Sequence, residues 1–234
     1  MRMTSLTTLL GCGLLTCGAT AQTFYFVGAD GLSAEAEFTL INPTTLEVRL
    51  KNTSTGVPSG FSNSDQLLTG VSWDFGAPGQ GIGDNTITGG SVVIGPSSAS
   101  VDFDTGSYGA GTDVSGEFAY GNMDGTGLLE NFFSTNTAQA TPFGGANLDG
   151  PVNIDGPQPG LISNAFSLPL GGLGAIRDEV IATLTLSQAL ADTSFLQNGV
   201  RVEFGSDAYF ITVPAPTSAA LLGLAGLVGA RRRR

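Results

Sequence analysis

The chain has 234 residues, with nine basic and twenty acidic side chains, two cysteines and no histidine. Without histidine, neither a Ser-His-Asp or Cys-His site nor a histidine metal centre can be assembled. Between Gln22 and Val213 only Arg49, Lys51, Arg177 and Arg201 oppose all twenty carboxylates, a net −16. Such a surface repels phosphate backbones and excludes nucleic acid as a partner.

The chain opens "MRMTSLTTLLGCGLLTCGATAQ". Arg2 supplies a positive start, Leu6 to Leu15 a short apolar stretch, and Ala19-Thr20-Ala21 a small-x-small cleavage site. We read residues 1–21 as a secretory signal cut after Ala21 by signal peptidase, with lipidation at Cys17 or Cys12 as the alternative. Cys12 and Cys17 both leave with that segment, so the exported chain has no thiol and its fold rests on its core alone.

Residues 22–213 read as strands. Phe24 to Val27 and Ala36 to Ile41 come first. "TLEVRLK" then sets Leu46, Val48 and Leu50 against Glu47, Arg49 and Lys51, and "GVSWDFG" sets Val71, Trp73 and Phe75 against Ser72 and Asp74. Ser91 to Ile94, Ala99 to Phe103 and Glu117 to Tyr120 are shorter candidates. "VIATLTLS" alternates Val180, Ala182, Leu184 and Leu186 with Thr183, Thr185 and Ser187, and "VRVEFG" alternates Val200, Val202 and Phe204 with Arg201 and Glu203. Ala208 to Val213 closes the series. Period two with one apolar face marks half-buried antiparallel strands. Gly, Asn, Asp and Pro fill the joints, and no normal amphipathic helix is present, only a short turn in "DTSFLQNG". The expected fold is a single all-β domain, an antiparallel β-sandwich or jelly roll. Asn131 to Gly160, with four prolines and little alternation, is expected to be a long loop.

Residues 214–234 read "PAPTSAALLGLAGLVGARRRR". Thr217 to Ala230 carries no charge and spans about 21 Å as a helix, against a hydrocarbon core of about 30 Å. Arginines at its end reach headgroups and stay cytoplasmic, so the segment is expected to be a short, temporary inner-membrane helix.

Pro214-Ala215-Pro216, the apolar run and Arg231, Arg232, Arg233 and Arg234 together resemble a PEP-CTERM sorting signal. The resemblance implies export by a bacterium with an outer membrane and removal of the tail by exosortase, a membrane protease. The usual motif is Pro-Glu-Pro; here Ala215 stands in place of the glutamate, so processing requires a protease that accepts alanine. The middle of the chain also looks like exosortase-dependent surface proteins, through "LKNTS" at Leu50 to Ser54 and "GEFAYG" at Gly116 to Gly121. The implied destination is the cell surface or extracellular polymer, with a non-catalytic structural or adhesive role.

Other chemistries compete with this reading. "VDFDTG" places Asp102 and Asp104 on one side of a strand, the raw material of a two-carboxylate glycosidase, though a solvated face explains them as well. "NMDG", "NLDG" and "NIDG" make Asp124, Asp149 and Asp155 the calcium candidates, since Asn-x-Asp-Gly fits ligand positions three, five and six of an EF-type loop. No carboxylate stands at the first or twelfth position of any of the three, and Asp-Gly is also a common turn pair. No cofactor is expected beyond such a calcium ion. A glycan-binding module, with extracellular polysaccharide as partner, is the second functional class. Tyr108 and Tyr120 are its candidate platforms, Trp73 being assigned to the core. Asn52 of "NTS" forms a glycosylation sequon, read here as a strand end.

Overall fold

The structure, a computed structural model, describes residues 20–62, 64–76, 82–101, 108–122, 129–136, 140–144, 160–166, 174–206 and 209–213. The strands in chain order are β1 (Thr20–Val27), β2 (Ser33–Asn42), β3 (Thr45–Asn52), β4 (Leu68–Trp73), β5 (Ile87–Ile94), β6 (Ser100–Val101), β7 (Ala119–Asn122), β8 (Asn131–Ser134), β9 (Thr141–Pro142), β10 (Leu161–Ile162), β11 (Ala175–Arg177), β12 (Glu179–Leu186), β13 (Val200–Phe204) and β14 (Tyr209–Val213). Short 3-10 turns, among them Ser194–Asn198, are the only helical elements among the described residues.

Two sheets result. The first, all antiparallel, has the order β1-β2-β3-β12-β5. The second follows β6-β11-β10-β4-β8-β7-β9, with β13 pairing both β4 and β14. Its β10 and β11 run parallel, the one departure from the antiparallel expectation among the described residues. The β2–β3 turn is set locally: the Asn42 side-chain oxygen accepts the Thr44 N–H at 3.0 Å, a geometry that aspartate and asparagine favour. A register shift after Leu40 leaves Ile41 as an extra, exposed residue.

The apolar faces of both sheets contribute to one core. Phe24, Phe38, Trp73, Phe75 and Phe195 form a chain of aromatic contacts through it. Phe38 meets Trp73 edge-on at 5.4 Å, and Trp73 meets Phe75 edge-on at 6.1 Å. Such pairs contribute about 0.5–1.5 kcal/mol each beyond area burial. Trp73 is fully buried, as its alternation implies.

The structure departs from expectation where strands are covered on both faces. Asn131 to Ser134, expected as the start of a loop, is a strand with all four residues buried. β4 is likewise buried at every position, so Ser72 does not face solvent. Glu203 on β13 is also fully buried: the Asn136 amide donates to it at 2.8 Å and the Ser134 hydroxyl at 3.5 Å. A strand covered on both faces has no solvent side to impose period two.

Candidate functional site

The densest polar cluster lies where the chain crosses between sheets. β11 of the second sheet runs into β12 of the first through one residue, Asp178, whose φ is 56°. Aspartate tolerates this left-handed conformation better than most side chains. The Asp178 N–H donates to the Ile162 carbonyl, and its own carbonyl accepts the Asn52 N–H, both at 2.8 Å. One residue thus ties β10 to β3.

The "LKNTS" segment completes the corner. Asn52 is buried, and its side-chain amide donates to the Leu161 carbonyl at 2.8 Å and the Gln66 carbonyl at 3.2 Å. Its oxygen accepts the Ser54 N–H at 3.1 Å. The Ser54 hydroxyl accepts the Ser33 N–H at 2.9 Å and donates to the Ser33 carbonyl at 3.0 Å, while Thr53 donates to the Ser33 hydroxyl at 3.0 Å. The Ser163 hydroxyl donates to the Ser54 carbonyl. The sequon asparagine therefore serves as a strand end, as its position implies.

Two buried carboxylates and two cations sit beside this stitching. Lys51 lies directly opposite Glu179 in the β3–β12 register, with Arg49 one pair further along that face. Arg49 grips one Glu179 oxygen, Oε2, with Nη2 at 2.5 Å and Nε at 2.7 Å. The Lys51 ammonium is 3.9 Å from that oxygen and 3.5 Å from Asp178. Asp178 also accepts from the Ser98 hydroxyl at 2.8 Å and from the Asn164 amide. The Glu179 side chain is 0% exposed and its Oε1 has no hydrogen-bond partner, whereas that of Arg49 is 39% exposed. Gly95 lies against this carboxylate, where any side chain would collide with it. The hydrogen bond to Glu179 and the charges of Glu179, Glu37 and Glu35 raise the Arg49 pKa further, against the opposing effect of burial. Held between cations and out of solvent, these acids join strands and sheets; a general acid or base needs open reach to its substrate.

A second acidic group lies at the far end of β4. The Glu130 N–H donates to Asp74 at 2.8 Å. Burial first, then the charges of Asp74 and Asp84, raise the Glu130 pKa above its ordinary value. Among the described residues, no group of three or more His, Cys, Asp or Glu side chains is placed to hold a metal ion.

Other residues singled out from sequence fall as follows. Asp102, Asp104, Asp124, Asp149, Asp155, Ala19, Pro214, Ala215, Pro216 and Arg231 to Arg234 lie outside the described residues. Ala21 is exposed on β1. Tyr108 and Tyr120 are half-buried against the core, so neither is an open platform. Tyr120 stacks on Phe143 at 4.7 Å and donates its hydroxyl to the Thr88 carbonyl at 3.0 Å. Among the described residues the exposed aromatic is instead Tyr25 on β1, at 69%. Among the described residues, no helix is long and apolar enough to cross a membrane.

Asp178 and Glu179 were not anticipated from sequence. Their signal was present: two acids head an alternating strand in a domain with only four basic residues. Reading it required knowing that β12 pairs with β3. No protein-family model matches the chain, and neither a curated protein nor a solved structure matches it.

Proposed function

We propose that this chain is an exported, non-catalytic surface or extracellular-matrix protein with a structural or adhesive role, placed by an exosortase-type protease. In this reading its two sheets, the second carrying one parallel pair, form a jelly-roll-like β-sandwich spanning residues 22–213, between a signal peptide and a sorting tail. The observation that carries this reading is the order of Pro214-Ala215-Pro216, the uncharged run Thr217 to Ala230 and four terminal arginines, behind an N-terminal export signal. An exposed apolar run of that length promotes association in water, whereas a bilayer accommodates it. The charge-poor, turn-rich body held by a core without disulfides suits a domain that folds after export.

Cell fractionation tests the proposal. The full chain should pass through the inner membrane as a tailed precursor. Deleting Thr217 to Arg234 should release soluble protein. Changing Pro214 and Pro216 to alanine should leave the precursor in the membrane. A proline variant processed as fast as wild type would remove the protease from this reading.

A further inference from the structure

We propose that β1 is a dimer interface: a second copy of this chain pairs with it edge to edge and antiparallel, making the two five-stranded sheets one. This pairing does not need the sorting tail, and cleavage after Ala21 leaves Gln22 to Val27 of the strand to make it.

The two edges of the first sheet are treated unequally. Beyond β5, residues 111–115 close the edge. The Ile94 N–H donates to the Thr112 carbonyl at 3.0 Å, the Gly111 N–H to the Ile94 carbonyl at 2.8 Å, and the Val114 N–H to the Val92 carbonyl at 2.8 Å. The Val92 N–H donates to the Ser115 hydroxyl at 2.8 Å. At the opposite edge, β1 pairs with β2 alone among the described residues. β14 runs close to β1, and its Tyr209 and Ile211 reach Gly28, but it forms no ladder with β1 and pairs only with β13.

Open edges are ordinarily guarded by charge, proline, a bulge or brevity. β1, "TAQTFYFV", has no charged side chain, proline or bulge along its register with β2, and six of its eight residues, Gln22 to Val27, remain after the signal is cut. It is neutral within a stretch that carries a net −16. The large apolar side chains most exposed among the described residues lie on this strand and its neighbour, Ile41 at the far end from Val27. Tyr25 is 69% and Val27 78% exposed on β1, and Ile41 is 51% exposed on neighbouring β2.

The register follows from the faces. Directly opposed residues share a face, so pairing about Phe24 keeps every inward residue inward. Phe24 then meets the partner's Phe24, and Tyr25 lies beside the partner's Thr23, large against small. The carboxylates nearest this edge, Glu35 and Glu37, stand one strand back on β2. Across the joined sheets they are separated from their counterparts by three strand spacings, about 14 Å. That exceeds the Debye length of about 8 Å at physiological ionic strength, so repulsion is screened. A two-fold pairing uses up the β1 edge of both copies and closes on itself, which favours two chains over an open array.

Sedimentation of the full chain in detergent, at concentrations from about one to fifty micromolar, tests this. Wild type should sediment as two chains per particle. Tyr25→Lys should sediment as one, with the apparent Kd raised at least about tenfold. Thr185→Lys, on the exposed face of β12, should still pair. Emission from Trp73 should report the same fold in all three. A single-chain wild type, particles larger than two chains, pairing by Tyr25→Lys, or its loss in Thr185→Lys would each overturn the proposal.

Discussion

Arg49→Met should destabilise the domain more than Glu179→Met does, although both break the same ion pair. In wild type both Arg49 nitrogens rest on Glu179 Oε2, at 2.5 and 2.7 Å. Removing Arg49 leaves a carboxylate that is 0% exposed, with Lys51 at 3.9 Å as its remaining cation. Orphaning a buried charge in this way costs about 3–5 kcal/mol. The Arg49 side chain is 39% exposed, so water takes over part of its role and the expected cost is about 2–3 kcal/mol. At this domain size that is a fall in Tm of about 4–12 °C. Glu179→Met instead leaves a half-exposed guanidinium that water can solvate, and should cost about 1 kcal/mol or less. The double variant should be more stable than Arg49→Met alone, because the orphaned charge is gone. Urea melts followed by Trp73 emission give all three values. An Arg49→Met cost below about 0.5 kcal/mol, or a larger cost for Glu179→Met, would refute the reasoning.

Trp73→Ala should cost about 3–5 kcal/mol in a urea melt followed by far-UV circular dichroism, since the indole is fully buried among Phe38 and Phe75. Asn131 stands opposite Trp73 in the β4–β8 register, and both of its amide atoms are buried without a partner. Asn131→Leu should therefore stabilise the domain by about 1–2 kcal/mol in the same melt. Burial and the neighbouring Asp74 and Asp84 raise the Glu130 pKa above 4.5, so the fold holds that proton more tightly than the unfolded chain does. The resulting stability is complete below the unfolded pKa and is lost as pH rises through the folded one. Glu130→Gln should melt slightly above wild type at pH 7, and the advantage should disappear near pH 4.

The strands legible in the sequence are those with one wet face. Leu46, Val48 and Leu50 on β3, and Val180, Ala182 and Leu184 on β12, alternate because Glu47, Thr183 and Thr185 face outward. β8 carries no such contrast, since every residue of it is buried; β4 shows Ser72 between Val71 and Trp73, yet Ser72 is buried too, bonded to the Leu129 N–H and the Arg201 carbonyl. Glu179 misleads differently. It occupies an outward position on β12, yet Gly95 and Arg49 close over it. Local pattern cannot reveal that closure, because Gly95, Ser98, Asn164 and Asn52 meet only once the sheets are joined. The reading of the tail rests on sequence alone, an uncharged run followed by four arginines, and lies outside the described residues.

The proposed route to the surface is tested most directly by the intact mass of protein released from the outside of its native cell. The account predicts a chain that begins at Gln22 and ends at or near Pro214 to Pro216, without the apolar run or the arginines. Surface molecules that still carry Arg231 to Arg234 would contradict it and make the tail a lasting anchor.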